Sequence, residues 1–260
     1  MTTLPVWWDG PADGPTNMAA DECLGDEAAA RGGLVVRVYG WTATTVSLGG
    51  FQRIAEARAE PAITGAALVR RPSGGGAIVH GSDLTYAAAV PRDHPLGGRP
   101  QALYTAFHAA LVDVLAEFGV TAGLCPAAAP APGGTDAFFC FDRRAEGDVV
   151  VAAPAAGPAA AKILGSAQRR LATAVVQHGS LLLRAAGDVG PAARHPGLSD
   201  LHPATAGVPA RDVAGRWLDR LARGLGCRAA WEPAEFRVGR EARISCLADT
   251  FAGARWLARR

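Results

Sequence analysis

Three short segments of the chain combine glycine with side chains that could bind or transform a substrate. The first runs from residue 70 to residue 80 and reads RRPSGGGAIVH. Successive glycines let a backbone approach a ligand closely, and their free amides can face an anion. This segment predicts a substrate-binding turn, to which we assign Arg70, Ser73, Gly74, Gly75, Gly76 and His80.

The other two segments read KILGSAQRR from residue 162 and QHGSLLL from residue 177. Each places a polar group beside a glycine within an apolar strand. Lys162 is the one lysine among 26 basic residues. A lysine offers a compact ammonium where arginine offers a broad planar fork, so we assign Lys162 a catalytic role. The substrate-binding residues predicted here are Gly165, Ser166, Ala167, His178 and Gly179.

Cys140 stands in the sequence FFCFD, and the residues alone leave open whether it is a nucleophile or a buried core residue. A thiolate can take an acyl group from a thioester at little thermodynamic cost, because one thioester replaces another. A nearby ammonium such as that of Lys162 would favour the thiolate and polarise the carbonyl. The alternative is a buried cysteine that packs among the phenylalanines around it.

Several other classes of protein are disfavoured. The five cysteines contain no C-x-x-C pair, so the sequence predicts neither a zinc site nor a disulfide framework, and no metal site is expected. A net charge of +2 argues against a nucleic-acid binder. No signal peptide or membrane helix is apparent, so we expect a cytoplasmic protein without a membrane partner. We interpret His94, His108, His195 and His202 as surface or capping residues.

Strands and helices alternate without a regular βαβ order, which favours an α+β fold with a mixed, mostly antiparallel sheet flanked by helices. A helix capped at Thr16 and Asn17 is expected to end near residues 31–33, and others span 101–118 and 211–225. Strands are expected at 34–39, 44–48, 66–71, 77–80, 83–90, 137–142 and 148–153, with a hairpin of 162–170 and 174–183. Residues 152–161 are expected to form a flexible loop.

Taken in order, the three segments and Cys140 resemble the lipoate–protein ligase A and octanoyltransferase family, within the biotin/lipoate protein ligases. The sequences NMAADE at residue 17 and VYGW at residue 38 are similar to that family as well. The cysteine followed by phenylalanine is most similar to the cysteine-dependent octanoyltransferases. Gly76 departs from that pattern, since those enzymes often have arginine there, and the stretch between Cys140 and Lys162 is longer than expected.

The resemblance implies the catalytic-domain fold of biotin and lipoate protein ligases. We expect a single domain over residues 1–260, with residues 211–260 as a helical, Arg-rich extension and no separate accessory domain. The implied reaction moves an octanoyl or lipoyl group from acyl carrier protein through Cys140 to a lysine of a lipoyl domain. Acceptors would be the lipoyl domains of 2-oxoacid dehydrogenases or the glycine cleavage H protein.

Other reactions of the family remain open. An ATP-dependent lipoate ligase would form lipoyl-adenylate, with Mg-ATP as its cofactor and Lys162 near the carboxylate and α-phosphate. A lipoyl-domain amidotransferase would also use an acyl-cysteine. The transferase route requires no cofactor. A protein that has lost catalysis and only binds acyl chains or lipoyl domains is the alternative from another class.

Overall fold

The computed structural model of the chain describes residues 2–126, 137–152 and 160–259. In these ranges the strands form two sheets. The larger has eight strands, in the order β11 (Arg228–Trp231), β1 (Thr3–Trp8), β2 (Val35–Tyr39), β6 (Asp83–Pro91), β10 (Ala174–Leu182), β9 (Ala161–Arg170), β8 (Val149–Val151) and β7 (Ala122–Leu124). The smaller has the order β4 (Ala67–Arg70), β3 (Thr45–Leu48) and β5 (Ile78–His80).

Both sheets are mixed, and most of their pairings are antiparallel. In the large sheet β1 is parallel to β2 and to β11, while the neighbours from β2 across to β7 are antiparallel. In the small sheet β3 is parallel to β4 and antiparallel to β5. The predicted α+β architecture and the predicted hairpin, which is β9 and β10, are therefore confirmed.

The helices cover both faces of the large sheet. They are α1 (Gly14–Arg31), α2 (Ile54–Ala59), α3 (Pro100–Glu117), α4 (Leu198–Leu201), α5 (Ala210–Gly224), α6 (Glu241–Ala252) and α7 (Ala254–Ala258). On one face α3 and α5 pack over Tyr86, and on the other α1 and α6 pack over Val35. No helix in the described ranges has the length and apolar character needed to cross a membrane.

Helix α1 differs from the prediction at its start and agrees with it at its end. Asp13, and not Thr16 or Asn17, is the N-cap, because its carboxylate accepts the Thr16 N–H at 2.9 Å. Asn17 lies inside the helix, where its amide donates to Ala12 O and Gly40 O. The helix ends at Gly32, whose φ of 68° is left-handed and suits glycine.

The segment from residue 137 to residue 142 is not the predicted strand. It makes one isolated bridge, between Phe139 and Ala77, and then turns through a 3-10 helix at Cys140–Asp142. The turn lets Phe139 and Phe141 enter separate apolar clusters while Cys140 stays half-buried. The strand that follows is shorter than predicted and spans Val149–Val151. Most of the predicted loop at 152–161 lies outside the described residues.

Three strands had no counterpart in the sequence prediction, namely β1, β7 and β11. Residues 211–260 supply α5, α6 and α7, and they also place β11 at the edge of the large sheet. The glycine turn is not the tip of a hairpin, since β4 and β5 lie on opposite sides of β3. The turn crosses from one edge of the small sheet to the other.

Candidate active site

A cavity of about 60 Å³ lies between the two sheets, beside α1. The predicted site residues that line it are Gly74, Gly75, His80, Cys140, Gly165, Ser166, Ala167, His178 and Gly179. Apolar walls are supplied by Met18, Trp41 and Ile78. The three sequence segments and Cys140 therefore converge on one space.

Lys162 lies at the edge of this cavity and contacts Cys140 directly. Its Nζ is 3.6 Å from Cys140 Sγ and 3.3 Å from Cys140 O. On its other side it forms an ion pair of 2.9 Å with Asp148 Oδ2, and both side chains are buried. The Asp148 carboxylate also accepts from the Tyr104 hydroxyl and from Ala145 N. An ammonium has three N–H donors, so Asp148 and the two Cys140 atoms account for all of them.

The backbone of the Cys140 turn is fixed on both sides. Cys140 N donates to Ala77 O at 2.8 Å, and Ala77 N donates to Phe138 O at 2.9 Å. His195 closes the turn from outside, with its Nε2 3.1 Å from Asp142 Oδ1. The surface role predicted for His195 is therefore wrong. It packs beside Phe139 and Phe141 and holds the Cys140 turn in place.

Three glycines of the sequence segments leave room for reactive side chains. A Cβ at Gly165 would lie 2.5 Å from Lys162 Cε and 2.8 Å from its Nζ. A Cβ at Gly76 would lie 2.7 Å from Cys140 N. At Gly179 a Cβ would collide with the Ser166 hydroxyl. These positions leave space for the Lys162 side chain, the Cys140 backbone and the Ser166 hydroxyl, and Gly165 and Gly179 also line the cavity, as Gly74 and Gly75 do.

The two arginines before the glycine turn have different surroundings. Arg71 lines the cavity, and its guanidinium donates to Ser47 O, Gly74 O and Gly76 O. Its Nε is buried without a hydrogen-bond partner among the described residues, and burial lowers the pKa of the guanidinium to about 10. Arg70, the predicted binding residue, lies away from the cavity and donates to Leu257 O and Gly49 O.

His80 and His178 face the cavity from opposite sides, and each lies between a serine and an aspartate. His80 contacts Ser47 Oγ at 2.8 Å and Asp83 Oδ2 at 2.7 Å, and it stacks on Trp41. Burial works against the Asp83 carboxylate, yet His80, the Ser180 hydroxyl and Gly81 N–H hold its pKa below the usual range.

The second arrangement consists of Ser73, His178 and Asp21. His178 Nε2 is hydrogen-bonded to Ser73 Oγ, and its Nδ1 is 3.4 Å from Asp21 Oδ2. Asp21 comes from α1 and also accepts from Tyr39 and from the buried Arg37.

His108 is a third histidine near the site, and the surface role predicted for it is wrong. It is fully buried, which lowers its pKa to about 4. Nδ1 lies 2.7 Å from Gly147 O, so it carries the hydrogen, and Nε2 then accepts from the Ser166 hydroxyl at 2.7 Å. Tyr86 in turn donates to Ser166. This chain of hydrogen bonds fixes β9 against α3 behind the cavity.

Sequence reasoning missed several of these groups because their partners are distant in the chain. Asp148 lies 14 residues from Lys162 and reaches it only through the register of β8 and β9. Asp21 was visible within the NMAADE segment, but its partner His178 is 157 positions away. Arg71 follows Arg70 directly in the sequence. Successive residues of a strand point to opposite sides, so Arg71 lines the cavity and Arg70 does not. No group of three or more His, Cys, Asp or Glu in the described part of the chain could hold a metal ion.

Comparison with protein families finds a match over residues 13–195 to the lipoyl protein ligase A/B catalytic domain. The chain is 34% identical over 188 residues to the octanoyltransferase LipM of Moorella thermoacetica. That match covers 69% of this chain and 64% of the relative, just under two thirds of its length. With the octanoyltransferase LipM of Symbiobacterium thermophilum the identity is 33% over 235 residues, covering 86% and 80% of the two chains.

Solved structures show the same fold at lower identity. The chain matches a lipoate-protein ligase A bound with ATP with a TM-score of 0.71 at 17% identity, over 99% of both chains. It matches the bipartite lipoate protein ligase of Thermoplasma acidophilum with a TM-score of 0.69 at 17% identity, over 99% of this chain and 97% of that one.

Proposed function

The chain belongs to the lipoyl protein ligase A/B catalytic domain family, and from that premise we propose that it transfers an octanoyl group, or a lipoyl group, through a thioester on Cys140. The donor is an acyl carrier protein, and the acceptor is a lysine of a lipoyl domain. The observation that carries the proposal is the contact of the Lys162 ammonium with Cys140 Sγ at 3.6 Å. Relatives named octanoyltransferase support it.

In the first step the Cys140 thiolate attacks the carbonyl carbon of the donor thioester. A new C–S bond forms, the old one breaks, and the electron pair leaves on the carrier's sulfur, which takes a proton from water. The positive charge of Lys162 stabilises the thiolate before attack, and we assign its N–H and the backbone amides near Gly165 and Ser166 to the developing oxyanion. Arg71 Nε is a further donor at this cavity, and no described residue accepts from it.

In the second step the lysine amine attacks the acyl-cysteine. The C–N bond forms and the C–S bond breaks, so the amide departs and the thiolate returns to Lys162. The acyl chain would lie along Met18, Trp41 and Ile78, beside the Gly74 and Gly75 backbone. Buried apolar contacts of this kind favour a hydrocarbon chain.

ATP-dependent lipoate ligation is the second candidate, and Arg71 is the observation that favours it. All of its hydrogen-bond acceptors are neutral oxygens, so a buried positive charge faces the cavity with capacity for an anion. A substrate carboxylate or an α-phosphate would satisfy it. The half-buried thiol beside Lys162 has no function on that route, and this is why we prefer the transferase.

The two candidates separate in a single experiment. The protein is incubated with octanoyl-acyl carrier protein without ATP, and its intact mass is measured. We expect a gain of one octanoyl group, which Cys140→Ala abolishes. The cysteine control is Cys246→Ala, because Cys246 is exposed on α6 and does not line the cavity.

A different outcome of this experiment would identify the protein as an ATP-dependent ligase. A wild-type protein that gains no octanoyl group, but lipoylates a lipoyl domain when lipoate and Mg-ATP are supplied, is a ligase. In that case Cys140→Ala retains activity. An adduct that persists in Cys140→Ala would also contradict the proposal.

A further inference from the structure

The second step of the proposed transfer needs a group that removes a proton from the acceptor lysine, because an ammonium does not attack a thioester. Lys162 is poorly suited, since it is an ammonium held by Asp148 and its hydrogens point to Cys140 and Asp148. His80 also faces the cavity, but its Nε2 contacts Ser47 Oγ, to which the cationic guanidinium of Arg71 already donates. Another base is therefore required.

His178 lies where two spaces meet. It lines the main cavity together with Cys140, and it also lines a small cleft of about 20 Å³ on the same face of β10, toward Val176. The remaining walls of the cleft are Asp21, Glu22, Pro72, Arg169, Leu171 and Val176. This cleft is separate from the apolar walls that would hold the acyl chain, so an acceptor can approach without displacing that chain.

The hydrogen bonds of His178 fix which nitrogen is basic. The Asp21 carboxylate can only accept, so Nδ1 of the imidazole carries the hydrogen. In the neutral ring Nε2 then has a free electron pair, and the Ser73 hydroxyl donates to it. An N–H of a substrate amine can take the place of that rotatable hydroxyl.

Carboxylates from α1 lie beside His178. Asp21 Oδ2 is 3.4 Å from its Nδ1, and Asp21 pairs with Arg37. Asp9 pairs with the same guanidinium and also lies 3.8 Å from Arg237. Glu22 lines the cleft and pairs with Arg169 at 3.1 Å, so an entering lysine ammonium can take the place of Arg169 while Asp21 orients the imidazole.

We propose that the acceptor lysine enters through the cleft at Glu22 and that His178, oriented by Asp21, takes the proton from its amine. The proposal rests on the acyl-Cys140 route. His178 Nε2 takes one proton from the entering lysine ammonium and passes it to water. As the C–N bond forms, His178 takes the second proton from the nitrogen, and the electron pair of the C–S bond returns to Cys140. The imidazolium loses its proton to water before the next cycle.

The test separates the two half-reactions. Wild-type enzyme and His178→Gln are loaded with octanoyl thioester, and the acyl-Cys140 form is followed by mass. Each is then mixed with a lipoyl domain, or with hydroxylamine, which is neutral at pH 7 and attacks thioesters without a base. We expect loading and hydroxylamine cleavage within about threefold of wild type, and transfer to the lipoyl domain slower by about 10²-fold or more.

Two further variants test the entry cleft. Glu22→Gln should raise the KM for the lipoyl domain several-fold with little change in kcat. Asp26→Asn, which removes one carboxylate from an exposed position of the same helix, should leave both unchanged. His80→Gln is the histidine comparison, and any loss it causes should not be confined to the transfer step.

Three outcomes would overturn the inference while leaving the acyl-enzyme route intact. These are transfer by His178→Gln within tenfold of wild type, equal slowing with the lipoyl domain and with hydroxylamine, or a transfer-specific loss in His80→Gln instead. A wild-type enzyme that never forms acyl-Cys140 would instead contradict the proposed function, and the inference with it.

Discussion

The molecule contains two buried cation clusters that use similar charges for different purposes. The Arg37 cluster consists of Arg37, Asp9, Asp21, Asn17 and Tyr39, and the Lys162 cluster consists of Lys162, Asp148, Tyr104 and Cys140. Arg37 is completely buried and donates to Asp9, Asp21 and Asn17 at distances of 2.6 to 2.9 Å. Lys162 has one short ion pair and two long contacts, both to Cys140.

The difference shows that the geometry of the cationic side chain suits Arg37 to stabilising the fold and Lys162 to contacting a reactive group. A planar guanidinium satisfies several acceptors at once, and although burial opposes its charge, Asp21 and Asp9 raise the pKa of Arg37. A lysine offers a point charge that can turn from one partner to another. The chain contains 26 basic residues, and its one lysine, Lys162, lies beside the sulfur of Cys140.

Exchanging the cation of the Arg37 cluster should have the largest effect on stability. Arg37→Lys loses the fork that joins Asp9 to Asp21, so buried carboxylates are left with fewer partners. We expect the free energy of unfolding to fall by about 3–5 kcal/mol, measured by urea denaturation. Formation of acyl-Cys140 per folded molecule should stay within a few-fold of wild type. A stability change below 1 kcal/mol would show that the cluster is not a support.

Replacing the lysine of the Lys162 cluster by arginine should affect the reaction rate more than the stability. In Lys162→Arg a guanidinium must occupy the space beside Gly165 that a compact ammonium fills, and it displaces the Cys140 contact. We expect acyl-Cys140 formation to slow by about 10²–10³-fold, measured by quenched-flow mass spectrometry. An Arg variant that loads at the wild-type rate would remove the distinction between the two clusters.

His108 extends the comparison to pH, because it supports the Lys162 side of the site while uncharged. Burial lowers its pKa to about 4, so between about pH 6.5 and pH 4 the unfolded chain binds a proton that the folded chain does not. Stability contributed by the neutral ring is therefore lost as the pH falls through that window. Between pH 7 and pH 4.5 the loss amounts to about 2 kcal/mol.

The measurement compares unfolding free energies of wild type and His108→Phe at the two pH values. The variant should lose about 2 kcal/mol less than wild type on acidification, whatever its absolute stability. Equal losses would mean that His108 takes up its proton over the same pH range in the folded protein as in the unfolded chain.

The smallest expected effect comes from Gly165→Ala. The added Cβ meets the end of the Lys162 side chain and pushes Nζ away from Cys140 by a fraction of an ångström. We expect acyl-Cys140 formation to slow about tenfold and stability to fall by about 1 kcal/mol. Gly123→Ala is the matched strand control, because no atom of the described residues lies within 4 Å of its added Cβ. An equal effect in both variants would contradict the steric explanation.

Local patterns predicted most elements that position the site, and long-range pairing explains most of the omissions. Periodicity gave α3, and strand composition gave the β9 and β10 hairpin that carries Lys162 and His178. The segment around Cys140 has the composition of a strand, yet Phe139 and Phe141 must enter different clusters, and this forces a turn. No local pattern could show that Thr3–Trp8 would find a partner at Arg228–Trp231.

The residues of the candidate site also fall into those that a local pattern predicted and those that it did not. Cys140 and Lys162 were identified because each stands in a recognisable segment, and the structure brings them into contact. The contacts of three other residues could not be predicted, because their partners are distant in the sequence and meet only in the folded sheet. These residues are Asp148, Arg71 and Asp21. His108 was misassigned because an isolated histidine in a helical pattern gives no sign of the carbonyl and the serine hydroxyl that hold it.

The position of β1 has a consequence for how the chain is made. This strand leaves the ribosome long before β11, but it lies between β2 and β11 in the finished sheet. Its outer edge, with Trp7 and Trp8 close by, therefore stays unpaired until residues 228–231 have been synthesised. Unpaired strand edges are sites of aggregation. Nascent chains that stall before this point should be prone to self-association and should depend on chaperones more than the complete chain does.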